Sequence, residues 1–183
     1  MDLEAILLER LREGDRSALE HVYLTHKNRL LTLALCLCAD LPLAEDCLQD
    51  VFVRLADEAV AGRIREDLGA YLSSCVRNQV RDRQRRRLRR RRLAVETIPV
   101  PAAADGPADS LDRLAERQET ERLIGLLGRL PYEQREVVVL HLKDGLTFRA
   151  IAEVQAVSIN TVQSRYRYGI ERLRNLMNEE VMR

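Results

Sequence analysis

The chain has 183 residues, 46% of them apolar and 32% charged, enough to bury a core in one domain or two small ones. Trp is absent, aromatics are 4%, and Gly and Pro are sparse, so the cores must rest on Leu, Val, Ile and Ala and the composition predicts an all-α protein. The formal net charge of +1 conceals a basic block in which nine of the twelve residues from Arg81 to Arg92 are arginine, while no run approaches the roughly 18 apolar residues of a membrane span.

The start, MDLEAILLER, is acidic and periodic, unlike a signal peptide. Residues 3–12 predict a short helix, broken by REGDRS. Asp15 or Ser17 then caps a helix that runs to about Cys38, because a short side-chain oxygen satisfies an otherwise unpaired backbone N–H. Asp40 or Pro42 marks the next turn, since proline fits a first helical turn. The helix expected at about 43–57 aligns Leu43, Cys47, Leu48, Val51, Phe52 and Leu55 in one stripe. A looser segment leads into a long helix at about 67–92, with Leu68, Tyr71, Leu72, Cys75, Val76 and Val80 as its buried side. That stripe ends where the arginines begin. The segment AVETIPVPAAADGPAD has little periodicity and few large apolar groups, so it reads as a linker. Two helical domains are therefore expected, residues 1–92 and 111–183, joined by residues 93–110.

The last third carries the sharpest pattern. PYEQREVVVLHLK is a helix started by Pro131 and ended by Asp144 and Gly145. Thr147 caps TFRAIAEV, QAV turns, and Ser158 caps INTVQSRYRYGIERLRNLM. Two helices joined by a tight turn, the second long and basic, form the helix-turn-helix pattern. Ile159, Val162, Tyr166, Ile170 and Leu173 are expected to pack inward. Asn160, Thr161, Gln163, Ser164 and Arg167 then point away, as groups that hydrogen-bond base edges. Arg149 and Arg165 are phosphate-holding candidates. Such turns usually carry glycine where Ala156 stands, and a positive φ there strains alanine by about 1 kcal/mol or more.

The segments LPYEQREVVVLH, DGLTFRAIAEV and TVQSRYRYGIERLR resemble region 4 of bacterial sigma factors, in particular the extracytoplasmic-function group. An independent likeness lies in the first half. GDRSALEHVYLTHKNRLLTLA resembles the opening of region 2, LAEDCLQDVFVRL its polymerase-binding helix, and LGAYLSSCVRNQVRDRQRRR the helix that reads the minus-ten element. The resemblance implies a protein without catalytic chemistry that binds core RNA polymerase, docks it on promoter DNA and helps to open the duplex. It implies that Glu45, Asp46, Gln49, Asp50, Phe52 and Val53 line the edge that meets polymerase. Asn78 occupies the place of the family's RN motif, with Arg77, Arg81 and Arg85 as phosphate partners. The loop 57–67 is the expected wall of a base pocket. It carries no aromatic residue, and Tyr71 replaces a tryptophan common in the family. Stacking is worth about 1–3 kcal/mol per base, so hydrogen bonding is the expected source of minus-ten specificity. An anti-sigma factor is a candidate partner, since many relatives have one that wedges between the two domains.

Other function classes find little support. His21, His26 and His141 sit in helical pattern without a nucleophile or metal partner, and no glycine loop for phosphate exists. No cofactor or metal is expected. Cys36, Cys38, Cys47 and Cys75 have neither zinc-ribbon nor thioredoxin spacing and read as small buried hydrophobes of a cytoplasmic protein. A redox or metal role for the first three is a minor alternative. The competing functional reading is a two-domain helix-turn-helix regulator that acts without polymerase.

Overall fold

A computed structural model describes residues 3–62, 64, 67–93 and 111–182, and every regular element among them is an α-helix. The helices are α1 (Leu3–Arg12), α2 (Arg16–Cys38), α3 (Leu41–Val60), α4 (Leu68–Leu93), α5 (Leu111–Gly128), α6 (Tyr132–Leu142), α7 (Phe148–Gln155) and α8 (Ile159–Val181). The described residues divide into two compact units. One carries α1, α2 as far as Leu35, α3 and α4; the other carries α5–α8 together with Cys36–Ala39. The expected linker falls outside the described residues, apart from Leu93, which is the last residue of α4.

In the first unit the caps decide where helices begin. Asp15 takes the cap of α2, its carboxylate accepting from the backbone N–H of Ser17 at 2.8 Å and of Ala18 at 3.4 Å. Asp40 caps α3 through the N–H of Leu43 at 3.1 Å, with Pro42 inside the first turn. That start, and helical spacing kept through Ala59, make α3 longer at both ends than the expected 43–57. Gly62, at φ +66°, lies just beyond its end. The buried stripe of α3 is Ala44, Cys47, Leu48, Val51, Phe52, Leu55 and Ala59, and it packs on α1 and α4. Asp67 starts α4, its carboxylate accepting from the N–H of Ala70 at 2.7 Å. On α4, Leu68, Leu72, Val76 and Val80 are buried as expected. The stripe does not stop there, because Arg81 and Gln84 are buried as well, at 8% and 7% exposure. Side-chain bonds lock the bundle: Arg12 donates to the carbonyl of Ile64 at 3.2 Å, and Arg29 to the carbonyl of Gly69 and the hydroxyl of Ser73, both at 2.9 Å.

The second unit is organised around α8, which packs on α5, α6 and α7. Val137, Val138, Leu140, Ile151, Val162 and Leu176 are buried. Gly169 sets the approach of α8 to α6, since a Cβ there would meet Val138 Cγ2 at 2.9 Å. An aromatic cluster stiffens one side. His141 stacks on Phe148 with centroids 4.3 Å apart, and Tyr166 meets both rings at 5.1 and 5.2 Å.

One inward position changes sides. Ile159 is 43% exposed, whereas Val162 is fully buried and Tyr166, Ile170 and Leu173 are half-buried. Ile159 is the first residue after the Ser158 cap, where the chain is only entering the helix.

Candidate nucleic-acid interface

The turn between α7 and α8 is built by three short side chains. The Thr147 hydroxyl accepts from the N–H of Ala150 at 3.2 Å and starts α7. Ala156 ends α7 in the left-handed region, φ 55° and ψ 47°, so the positive φ that alanine resists is present. The Ser158 hydroxyl accepts from the N–H of Thr161 at 3.1 Å and starts α8. Beyond that cap, Asn160, Gln163 and Arg167 are exposed at spacings of three and four, one face of the helix.

The remaining candidates on this unit are distributed differently. The Thr161 hydroxyl lies 2.9 Å from Ser158 Oγ and so shares the cap. Ser164 is half-buried, and Arg149 is exposed on α7. The guanidinium of Arg167 lies 5.0 Å from the centroid of the Tyr168 ring and 3.3 Å from its hydroxyl, an arrangement that orients a cation without neutralising it. Arg165 donates to Gln155 Oε1 at 2.7 Å. Gln155 is buried, and its amide nitrogen donates to Glu136 Oε2 at 2.8 Å and to the carbonyl of Glu133 at 3.3 Å. The Tyr132 hydroxyl completes the group, donating to Glu136 Oε1 at 3.0 Å. This chain of polar contacts through α6, α7 and α8 escaped the sequence reading. Its signal was a glutamine four residues after the buried Ile151, where the spacing of α7 calls for an apolar side chain.

In the first unit, Glu45, Asp46, Gln49, Asp50 and Val53 are all exposed along one side of α3. Phe52 is not with them. It is 8% exposed and meets Tyr23 edge-on at 5.0 Å, because its position belongs to the core stripe. The acids are not isolated. Arg83 of α4 pairs with Asp46 at 3.2 Å and with Asp50, and the Gln79 amide also donates to Asp50. The hydrogen bond to Asp50 raises the Arg83 pKa further above its already high ordinary value. One turn on, Arg87 reaches Asp40 at 3.1 Å.

The arginine run is thus divided by the helical period. Arg81 is directed into the bundle, Arg83 and Arg87 turn to the acids of α3, and Arg85, Arg86 and Arg89 are exposed. The side chains of Arg90, Arg91 and Arg92 lie outside the described residues. Asn78 is exposed on the rim of a groove of about 310 Å³ that Asp50, Val53, Arg54, Asp57 and Gln79 also line. Arg77 is half-buried and donates to the Ser74 hydroxyl at 2.6 Å. Of the arginines offered for phosphate contact in this unit, Arg85 presents the most surface and Arg81 the least.

The expected base-pocket loop 57–67 is shorter than it looked, since α3 continues through Val60; residues 63, 65 and 66 lie outside the described residues. Tyr71 is committed to the scaffold. Its hydroxyl donates to Glu58 at 2.5 Å, and Arg54 donates to the same carboxylate at 2.6 Å. Burial, then the Glu58 hydrogen bond, hold the Tyr71 phenol far above its ordinary pKa. All four cysteines are free, and burial pushes the Cys47 thiol up to about 11, which keeps it protonated and unreactive at neutral pH. No cluster of three metal-ligating side chains occurs among the described residues.

Residues 22–91 match the family model described as Sigma-70 region 2, and residues 120–173 match Sigma-70, region 4. The chain belongs to the sigma-70 family. Its curated relatives place it in the extracytoplasmic-function group. It is 28% identical to the RNA polymerase sigma factor CarQ of Myxococcus xanthus, over 94% of this chain and 96% of that one. To the ECF sigma factor SigK of Mycobacterium sp. (strain KMS) it is 27% identical, over 94% and 89% of the two chains. To the ECF sigma factor SigW of Bacillus subtilis (strain 168) it is 24% identical, over 94% and 95%. The fold is similar to that of CnrH solved with the cytosolic domain of CnrY, at a TM-score of 0.60 and 22% identity over 97% and 99% of the chains. It is likewise similar to the sigma factor RpoE solved with the anti-sigma factor NepR from Bartonella quintana, at a TM-score of 0.62 and 24% identity over 87% and 96%. This sigma factor directs promoter-specific transcription initiation with RNA polymerase, as its two regions and its relatives indicate. Sigma factors are generally non-enzymatic regulators of transcription. Among the described residues no helix is long and apolar enough to cross a membrane.

Proposed function

We propose that residues 1–92 of this sigma factor hold core polymerase and the minus-ten strand, that residues 111–183 read the minus-thirty-five duplex, and that residues 93–110 tether the two. The observation that carries the second assignment is the exposed face Asn160, Gln163 and Arg167 at the capped start of α8. A helix presented in this way places amide and guanidinium donors at base edges in the major groove, while Arg149 and the second edge of Arg165 serve phosphates. Thr161 lies beside them at the cap, and the half-buried Ser164 lies further along α8.

On the first unit, the acidic edge Glu45, Asp46, Gln49, Asp50 and Val53 meets polymerase, with Phe52 supporting it from beneath. Acidic groups facing a basic partner favour fast and oriented association. Asn78 hydrogen-bonds a minus-ten base, and Arg77 and Arg85 hold flanking phosphates, with Arg81 acting from below the surface. Tyr71 is tied to Glu58, so hydrogen bonding rather than stacking is the source of minus-ten specificity. The protein works in the cytoplasm, has no catalytic activity or cofactor of its own, and takes an anti-sigma factor as a regulatory partner. The last point is supported by a neighbour of similar fold solved with an anti-sigma factor.

The test is transcription in vitro with core polymerase on a genomic template library, followed by start-site mapping. Promoter-specific initiation that requires the chain is expected. Failure to associate with core polymerase, together with duplex binding by the chain alone, refutes the reading in favour of a helix-turn-helix regulator that acts without polymerase.

A further inference from the structure

Ile159 lies apart from the core that its spacing suggested. It is 43% exposed, it follows the Ser158 cap directly, and it stands one turn before the exposed Gln163 and next to the exposed Asn160. A single exposed isoleucine needs no explanation on an ordinary surface. Here its neighbours are the polar groups of the reading face, and the first residues of such a helix are the ones that reach base edges. In the major groove only one base presents an apolar group, the C5 methyl of thymine. Gln163 follows one turn further along and Asn160 lies beside it, so Ile159 adds an apolar group at the edge of a hydrogen-bonding face.

We propose that Ile159 is a specificity-determining residue that recognises a thymine methyl in the minus-thirty-five duplex. The inference rests on the reading of α8 as the minus-thirty-five helix. Ile159 donates and accepts no hydrogen bond, so its contribution is shape and the burial of one methyl. It discriminates against cytosine, which places a polar amino group beside an unsubstituted C5 in the same part of the groove.

The experiment uses holoenzyme assembled from the full chain and core polymerase, with the mapped promoter as the probe. Each thymine of the minus-thirty-five segment is replaced in turn by deoxyuridine, which lacks only the C5 methyl, and a scrambled segment serves as the control. One replacement is expected to weaken binding about fourfold, the value of one buried methyl at about 0.8 kcal/mol. The I159A holoenzyme should bind the parent promoter more weakly and be indifferent to that replacement, whereas I159V should keep most of the dependence. Damage to α8 would weaken all duplexes alike and leave the dependence on the methyl intact, so the double comparison separates contact from folding. The inference is overturned if no thymine methyl matters to the unaltered protein, or if I159A suffers the same penalty. A scrambled segment that binds as well as the parent overturns the reading of α8 itself, and the inference with it.

Discussion

Replacing Ala156 by glycine tests the geometry of the turn on which the reading helix depends. Alanine at φ 55° and ψ 47° is held in the left-handed region, at a cost of about 1–2 kcal/mol from the approach of Cβ to the following carbonyl. Glycine removes that term but gives the unfolded chain more freedom, which returns about 0.4–1 kcal/mol. The residue is exposed, so no packing is lost. The balance is a stabilisation of about 0.5–1 kcal/mol, and for a unit of some 70 residues that raises its melting temperature by about 3–6 °C. Ala156→Val places a branched Cβ in the same conformation and should lower stability by more than the glycine raises it. Thermal melts of the three proteins, with hydrogen exchange on the amides of α7 and α8 to assign the transition, should give the order Gly, Ala, Val. Equal stability of the alanine and valine proteins, or a glycine protein less stable than the parent, would refute the argument.

Gly169→Ala forces a methyl to within 2.9 Å of Val138 Cγ2; overpacking costs about 1–3 kcal/mol, less about 1 kcal/mol of helix propensity gained. A lowered denaturation midpoint should register the loss, and an unchanged one would mean that α6 and α8 can part at no cost. Asn78→Ala should reduce discrimination at one minus-ten base by a few-fold to a hundredfold while leaving association with core polymerase unchanged, as read by promoter competition and by co-purification. The Asp15 carboxyl is held at about 2, below its ordinary 3.8, first by the Ser17 hydroxyl and then by Arg10. Its folded-state pKa is the lower one, so its contribution to the start of α2 is complete above about 3.8 and is lost as pH falls toward 2. Asp15→Asn should flatten that part of an acid titration followed by circular dichroism, and a superimposable acid limb would remove Asp15 from the account.

The helices were legible because each carries its own punctuation. Thr147 and Ser158 precede apolar periods and make the cap bonds expected of them, and Asp40, expected to mark a turn, also caps α3. Ile159 departs from the inward face of the helical wheel at the first position of α8, directly after the Ser158 cap, where it is 43% exposed. The apolar stripe of α4 ends at Val80 in the sequence pattern, yet the polar Gln84 continues the spacing of Val76 and Val80 and is buried, and so is Arg81, expected as a phosphate partner. A long polar side chain buries its stem and keeps only its tip for partners. The division of the arginine run was invisible for a related reason. Composition counts charges, but only the rotation of α4 against α3 shows which of them already face an acid.

Gln155 is neutral, yet it stands between a carboxylate on α6 and a guanidinium on α8, and both ends of its amide are occupied. An amide is the one side chain of this length that offers a donor to one neighbour and an acceptor to the other. Neither glutamate nor leucine can serve both. The identities at 136, 155 and 165 are therefore not independent choices. Across a set of homologous chains they should co-vary as one character, and a lineage that loses the glutamine should be found to have lost the acid or the arginine with it.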